Sequence, residues 1–201
     1  MIDRILIAAL LVASSAPALA QQTPADLTGA PVATTDIVPV AIDTSLGRIV
    51  IGLDRPHAPI TTANFLAYVD AHKYDGETFH RAMPYDNGGL IQGGISSDAR
   101  KLGKPIAFES TDATGLSNVT GAIAMAAAAP GKAQAEFLIL TTDIKAFDGP
   151  DGFAVFGHVV EGMDVVKAIF AAPVSPTKGE GPMKGQMLDP PVKIVKAARL
   201  K

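Results

Sequence analysis

The chain has no cysteine and no tryptophan, and aromatic residues fill only 5% of its 201 positions. The lack of cysteine excludes disulfides, thiolate nucleophiles and cysteine-based zinc sites. Charge is scarce as well. Asp, Glu, Lys and Arg together reach 18%, the net charge is -3 and no basic block occurs, which excludes the electrostatic footprint of a nucleic-acid binder. The apolar run at residues 5–13 stops well short of the roughly 20 residues that a membrane-spanning helix needs. No internal repeat is present. Apolar surface, by contrast, is plentiful: 48% hydrophobic residues in a chain of this length suffice for one well-buried domain and hardly for two.

The N-terminus reads as an address. Arg4 precedes the apolar run, Ser14, Ser15 and Pro17 follow it, and Ala18-Leu19-Ala20 stands before Gln21. A basic start, a short apolar centre and a small-x-small cleavage site make a secretory signal peptide of residues 1–20. Export to the periplasm, with no stable membrane anchor, is the expectation. Residues 21–36 are rich in Thr, Ala and Pro without any period and read as a flexible lead-in. The ordered domain is expected over residues 37–201.

Within that domain short strands dominate. Residues 38–43 and 48–53 are strand-like runs around Thr44-Ser45-Leu46-Gly47, a hairpin. Pro56 and Pro59 introduce a helix whose Thr62, Phe65, Leu66 and Val69 fall on one face. Thr61, Thr62 and Asn64 near its start read as capping or solvent-facing residues. Residues 95–104 read as a surface loop, residues 121–125 as a short buried strand, and residues 136–141 and 153–160 as further strands. Gly162 precedes a second helix with Val165, Val166, Ile169 and Phe170 on one side. Residues 173–190 are dense in Pro and Gly and read as a long loop before a last strand with Val192, Ile194 and Val195. Many short strands and two helices fit a closed β-barrel with helices over its ends.

The stretch with the clearest chemistry is Phe79-His80-Arg81-Ala82-Met83-Pro84, then Tyr85-Asp86-Asn87-Gly88-Gly89, then Leu90-Ile91-Gln92-Gly93-Gly94. Residues 78–83 form a strand that Pro84 and the Asn-Gly-Gly cluster break, and Leu90 opens a second strand that a Gly pair ends. A hairpin sets Arg81 and Gln92 on facing strands, where cross-strand side chains meet. His80 should then point away from Arg81 on its own strand.

This stretch resembles the signature of the cyclophilin-type peptidyl-prolyl isomerases, in which a Phe-His-Arg strand and a Gln-Gly-Gly strand carry the active-site Arg and Gln. The resemblance extends over roughly residues 37–200. It includes Pro59-Ile60-Thr61-Thr62-Ala63-Asn64-Phe65, Gly121-Ala122-Ile123-Ala124-Met125, Phe137-Leu138-Ile139 and Val155-Phe156-Gly157-His158-Val159-Val160-Glu161-Gly162-Met163, in the family's order. It implies a mostly β fold, a closed eight-stranded antiparallel barrel capped by two α-helices. It also implies rotation of X-Pro bonds, with Arg81 and Gln92 as the catalytic residues and no cofactor. Leu90, Ala126, Ala127, Glu136, Leu138, Phe147 and Phe153 would be the substrate-binding residues. Several of these depart from better-known members: Gly89 and Leu90 stand for Phe and Met, Ala127 for an Asn, Glu136 for a Gln, Leu138 for a Phe and Phe153 for a His. The loop position held elsewhere by Trp falls at Ala146 or Phe147.

Other chemistries find less support. His57, His72, His80 and His158 show no metal-ligand spacing, no Gly-x-Ser-x-Gly elbow occurs, and the Gly-rich residues 88–94 do not precede a helix as a phosphate loop must. Two readings of different class follow. The first is an exported, monomeric isomerase acting on Pro-containing unfolded or extended polypeptides. The second is a cyclophilin-fold module that binds such segments with little turnover. The retained Arg81 and Gln92 favour the first; Gly89, Ala127 and Glu136 favour the second.

Overall fold

Alternation of apolar and small or polar side chains, one residue in and one out, recurs in most of the strand runs, and it closes on itself. The computed structural model describes residues 36–96 and 98–201. The expected signal peptide, residues 1–20, and all of the expected lead-in but Asp36 lie outside the described residues. Eight antiparallel strands form a closed barrel: β1 (Ile37–Thr44), β2 (Gly47–Asp54), β3 (Thr78–Tyr85), β4 (Gly88–Gly94), β5 (Ala122–Met125), β6 (Glu136–Leu140), β7 (Val155–Glu161) and β8 (Met187–Arg199). Their order around the barrel is β1-β2-β7-β5-β6-β4-β3-β8. Closure gives every described strand a neighbour on both sides, so the barrel has no edge strand.

Val40, Ile42, Ile49, Ile51, Leu53, Ile91, Ile123, Met125, Phe137, Ile139, Val192 and Ile194 fill the interior, two residues apart wherever a strand contributes more than one. Phe65, Phe79, Tyr74, Phe137 and Phe156 form its aromatic centre, with ring centroids 5.1–5.6 Å apart. Helices α1 (Pro59–Asp70) and α3 (Met163–Phe170) add Phe65, Leu66, Tyr68, Val69, Val166 and Ile169 to the same core. The expected apolar faces of both helices are therefore the buried ones.

Four local expectations need correction. Thr61 and Thr62 are fully buried, and no side chain of α1 caps its start. The cap comes from far along the chain: Glu109 accepts the backbone N–H groups of Ile60 and Thr61 at 3.0 and 2.8 Å. A carboxylate there offsets orphan donors and the positive helix end together. Pro84 does not break β3, because β3 pairs with β8 only as far as Arg81↔Met187. Beyond that point a missing N–H costs no ladder bond, and the turn shrinks to Asp86-Asn87 between the paired Tyr85 and Gly88. β8 begins at Met187, inside the segment read as loop, and runs through Pro190 and Pro191. Finally, a third helix, α2 (Thr111–Thr114), escapes any periodicity because it is one turn long. Ser110 caps it and Gly115, at φ 73°, ends it.

Candidate active site

The same alternation that fills the barrel projects a second set of side chains outward over β3, β4 and β6. Phe79 and Ala82 face the core while Arg81 and Met83 do not; Ile91 faces in while Leu90 and Gln92 do not; Phe137 and Ile139 face in while Glu136, Leu138 and Leu140 do not. Leu90, Leu138, Leu140 and Ile144 make a satellite apolar cluster, with Met83, Ala126, Phe147 and Phe153 packed against it. The strand registers bring these together, through Arg81↔Gln92, Met83↔Leu90, Gln92↔Leu138 and Leu90↔Leu140.

A groove of about 390 Å³ lies over this surface. All nine residues singled out from the sequence line it: Arg81, Leu90, Gln92, Ala126, Ala127, Glu136, Leu138, Phe147 and Phe153. Of the two candidates for the loop position, Phe147 is the one in the groove. Its ring meets that of Phe153 edge-on at 4.7 Å and lies 6.5 Å from that of Tyr85. Three lining residues had no sequence signal as site residues: Met83, Ala128 and Met183. Met183 belongs to a short 3-10 turn, Gly181–Met183, and stays exposed at the groove's lip. A second groove of about 460 Å³ shares Ala126, Ala127, Ala128 and Glu136 and continues past Ile95, Leu102 and Gln134, so an extended segment would find room beyond the first.

Arg81 is half-buried, and its guanidinium is tied at two points. Nη1 donates to Gln92 Oε1 at 2.9 Å, and Nε donates to Gln186 Oε1 at 2.8 Å. Burial pulls its pKa below the ordinary value, opposed by the nearby Glu136 carboxylate; an arginine in that range stays charged at any working pH. Gln186 was hidden from sequence reading because it sits in a Pro/Gly-rich stretch with no period.

His80 departs from its expected place. β3 carries a bulge between Phe79 and Arg81, seen as Phe79↔Gly93 followed by Arg81↔Gln92. The extra residue breaks the alternation, and His80 does not turn away from the site. Its Nε2 lies 3.1 Å from Oε1 of Glu136, a carboxylate that lines the groove. At Ala126 the backbone N–H donates to Glu136 O at 2.9 Å and is not open to a substrate. Among the described residues no group of three or more His, Asp or Glu side chains is placed to hold a metal ion.

A barrel of this topology, with an Arg and a Gln over an outer apolar groove, defines a class, and comparisons with known proteins give it a family. Residues 39–198 match the family described as cyclophilin type peptidyl-prolyl cis-trans isomerase/CLD. The chain belongs to that family. It is 36% identical to a peptidyl-prolyl cis-trans isomerase of Acinetobacter baylyi over 160 residues, 78% of this chain and 82% of that one. It is 39% identical to peptidyl-prolyl cis-trans isomerase B of Escherichia coli over 140 residues, 65% of this chain and 82% of that one. Its fold is similar to the crystal structure of a cyclophilin type peptidyl-prolyl cis-trans isomerase from Cryptosporidium parvum, with TM-score 0.68, 20% identity, and coverage of 82% of this chain and 98% of that one. The same protein has also been solved in the presence of the dipeptide Ala-Pro.

Proposed function

We propose that the groove is the active site of a peptidyl-prolyl cis-trans isomerase acting on Pro-containing segments of exported polypeptides. The observation that carries this reading is the Arg81 guanidinium, fixed by Gln92 at the edge of an apolar floor. Rotation about an X-Pro bond must give up amide resonance, a barrier of roughly 18–20 kcal/mol. At the twisted geometry the prolyl nitrogen turns pyramidal and its lone pair becomes a hydrogen-bond acceptor, which it is not in the planar ground state. A cationic donor aimed at that nitrogen therefore stabilises the transition state selectively. Arg81 keeps three N–H groups beyond the two engaged by Gln92 and Gln186. Leu90, Leu138, Phe147 and Phe153 would hold the proline ring, and the second groove would take a flanking residue. No covalent intermediate, proton transfer or cofactor is needed. The structure of the Cryptosporidium relative in the presence of the dipeptide Ala-Pro and the family's name support proline-containing ligands. Export to the periplasm rests on the sequence pattern of residues 1–20.

The test is turnover of short X-Pro peptides by wild type, Arg81→Ala and Arg81→Lys, with peptide affinity and Tm measured alongside. A charge-assisted bond is worth roughly 1.5–3 kcal/mol, so Arg81→Ala should lose at least about tenfold to a hundredfold in kcat/KM. Affinity should change far less. Lys should recover little, since a flexible ammonium lacks the planar fork. Tm should stay near wild type. A folded wild-type protein without turnover would leave the chain a binding module.

A further inference from the structure

Gln186 sits outside every stretch that carries the family's catalytic pair, yet it bonds Arg81 as directly as Gln92 does, at 2.8 and 2.9 Å. With Gln92 alone, the guanidinium could pivot about the Nη1–Oε1 line and sweep its remaining N–H groups past the prolyl nitrogen. A second bond at Nε, the other end of the planar group, removes that freedom. Two fixed points in a rigid plane leave only small rocking motions.

Gln186 is itself held firmly enough to serve as a reference point. Its Nε2 donates to Pro182 O at 2.8 Å, its backbone N–H donates to Met183 O at 3.1 Å, and its backbone carbonyl accepts the Ala82 N–H at 2.9 Å. The Pro182 contact also fixes the amide's orientation: with Nε2 donating there, Oε1 must face Arg81. The last of these bonds splices the 3-10 turn to β3 one residue beyond Arg81. Gln186 thus translates the position of the Gly181–Met183 turn, whose Met183 lines the groove, into the orientation of the catalytic donor.

We propose that Gln186 is a positioning residue for Arg81, completing with Gln92 a two-point clamp that aims the guanidinium across the groove. The inference rests on the reading of Arg81 as the catalytic donor. Pre-aligned groups lower the barrier because their orientation is settled before the reaction. Loss of the clamp therefore falls on kcat, and binding, which depends on the apolar floor, is spared.

The experiment compares Gln186→Met with wild type, Arg81→Ala and the double variant Arg81→Ala/Gln186→Met, on one X-Pro peptide at saturating and limiting concentrations. Expected for Gln186→Met is a threefold to tenfold loss in kcat, the loss of one hydrogen bond, with KM changed by less than twofold. In the Arg81→Ala background the second substitution should have no further effect on kcat. A merely structural Gln186 would give the same fold-loss in both backgrounds, and that result overturns the proposal. A second readout does not depend on catalysis: the Arg81 Nε–H signal in proton–nitrogen NMR. It should be protected from solvent exchange in wild type and exchange faster in Gln186→Met. An Nε–H signal that exchanges equally in both proteins also overturns it. Wild-type turnover in folded Arg81→Ala would sink the functional reading instead, and the NMR comparison would still decide the clamp.

Discussion

Gly89 illustrates how a single residue can be misjudged from its neighbours in a motif. Aligned to family members that carry a Phe there, it looks like a lost piece of apolar wall. In the barrel it faces Pro84 across the β3–β4 hairpin, with φ 154°. A Cβ would run into the Met83 carbonyl oxygen and crowd the Phe170 ring at 2.8 Å. The backbone requires glycine, and Met83 and Tyr85 bring apolar surface to the same end of the site. Gly89→Ala should therefore destabilise the fold by about 1–3 kcal/mol, and distort the hairpin that aligns Arg81 with Gln92. Urea unfolding and X-Pro turnover measure the two effects; an unchanged unfolding midpoint would contradict the argument. The hairpin put Arg81 and Gln92 on facing strands, and their roles were legible through the family resemblance of the two strands that carry them. Gln186 was not, because its partner lies 105 residues away and no local pattern encodes such a contact.

At the scale of elements, the groove's aromatic wall depends on two loops locked to each other. Asn118 is fully buried, and its Nδ2 donates to Phe147 O at 2.9 Å and Phe153 O at 3.3 Å. Asp148 accepts from Ser117 Oγ at 2.5 Å, from Asn118 N at 2.8 Å and from Asn118 Nδ2 at 2.9 Å. Burial pushes the Asp148 carboxyl up. The Ser117 and Asn118 hydrogen bonds outweigh that, and with Lys145 nearby they leave its pKa below the ordinary carboxylate value. A depressed folded-state pKa contributes stability that is complete above the unfolded value, about 3.9, and is lost as pH falls through the folded one. Asp148→Asn should cost roughly 1–2 kcal/mol at pH 7, and its deficit against wild type should shrink towards pH 3. Denaturant unfolding at both pH values checks this; a deficit that does not change with pH would remove the carboxylate's charge from the account. Strands and the two longer helices were readable because their periods of 2 and 3.6 repeat over several residues. The one-turn α2, the Glu109 cap and the start of β8 carry no period and depend on tertiary partners.

For the molecule as a whole, every barrel strand lies between Ile37 and Arg199, and the family match spans residues 39–198. Cleavage after Ala20 would therefore keep every described strand, core side chain and groove-lining residue in the mature chain. The barrel also holds no disulfide to form, since the chain lacks cysteine, so it needs no oxidising compartment to reach its fold. This gives the leader reading a consequence that separates address from structure. When the full chain is produced in a Gram-negative host, the periplasmic fraction should contain a protein whose intact mass begins at Gln21. A cytoplasmic chain made from Gln21 onward should match it in Tm and in X-Pro turnover. Recovery of the uncleaved chain in the membrane fraction would refute the leader. A mature-length protein that folds only after export would refute the independence of the barrel from its compartment.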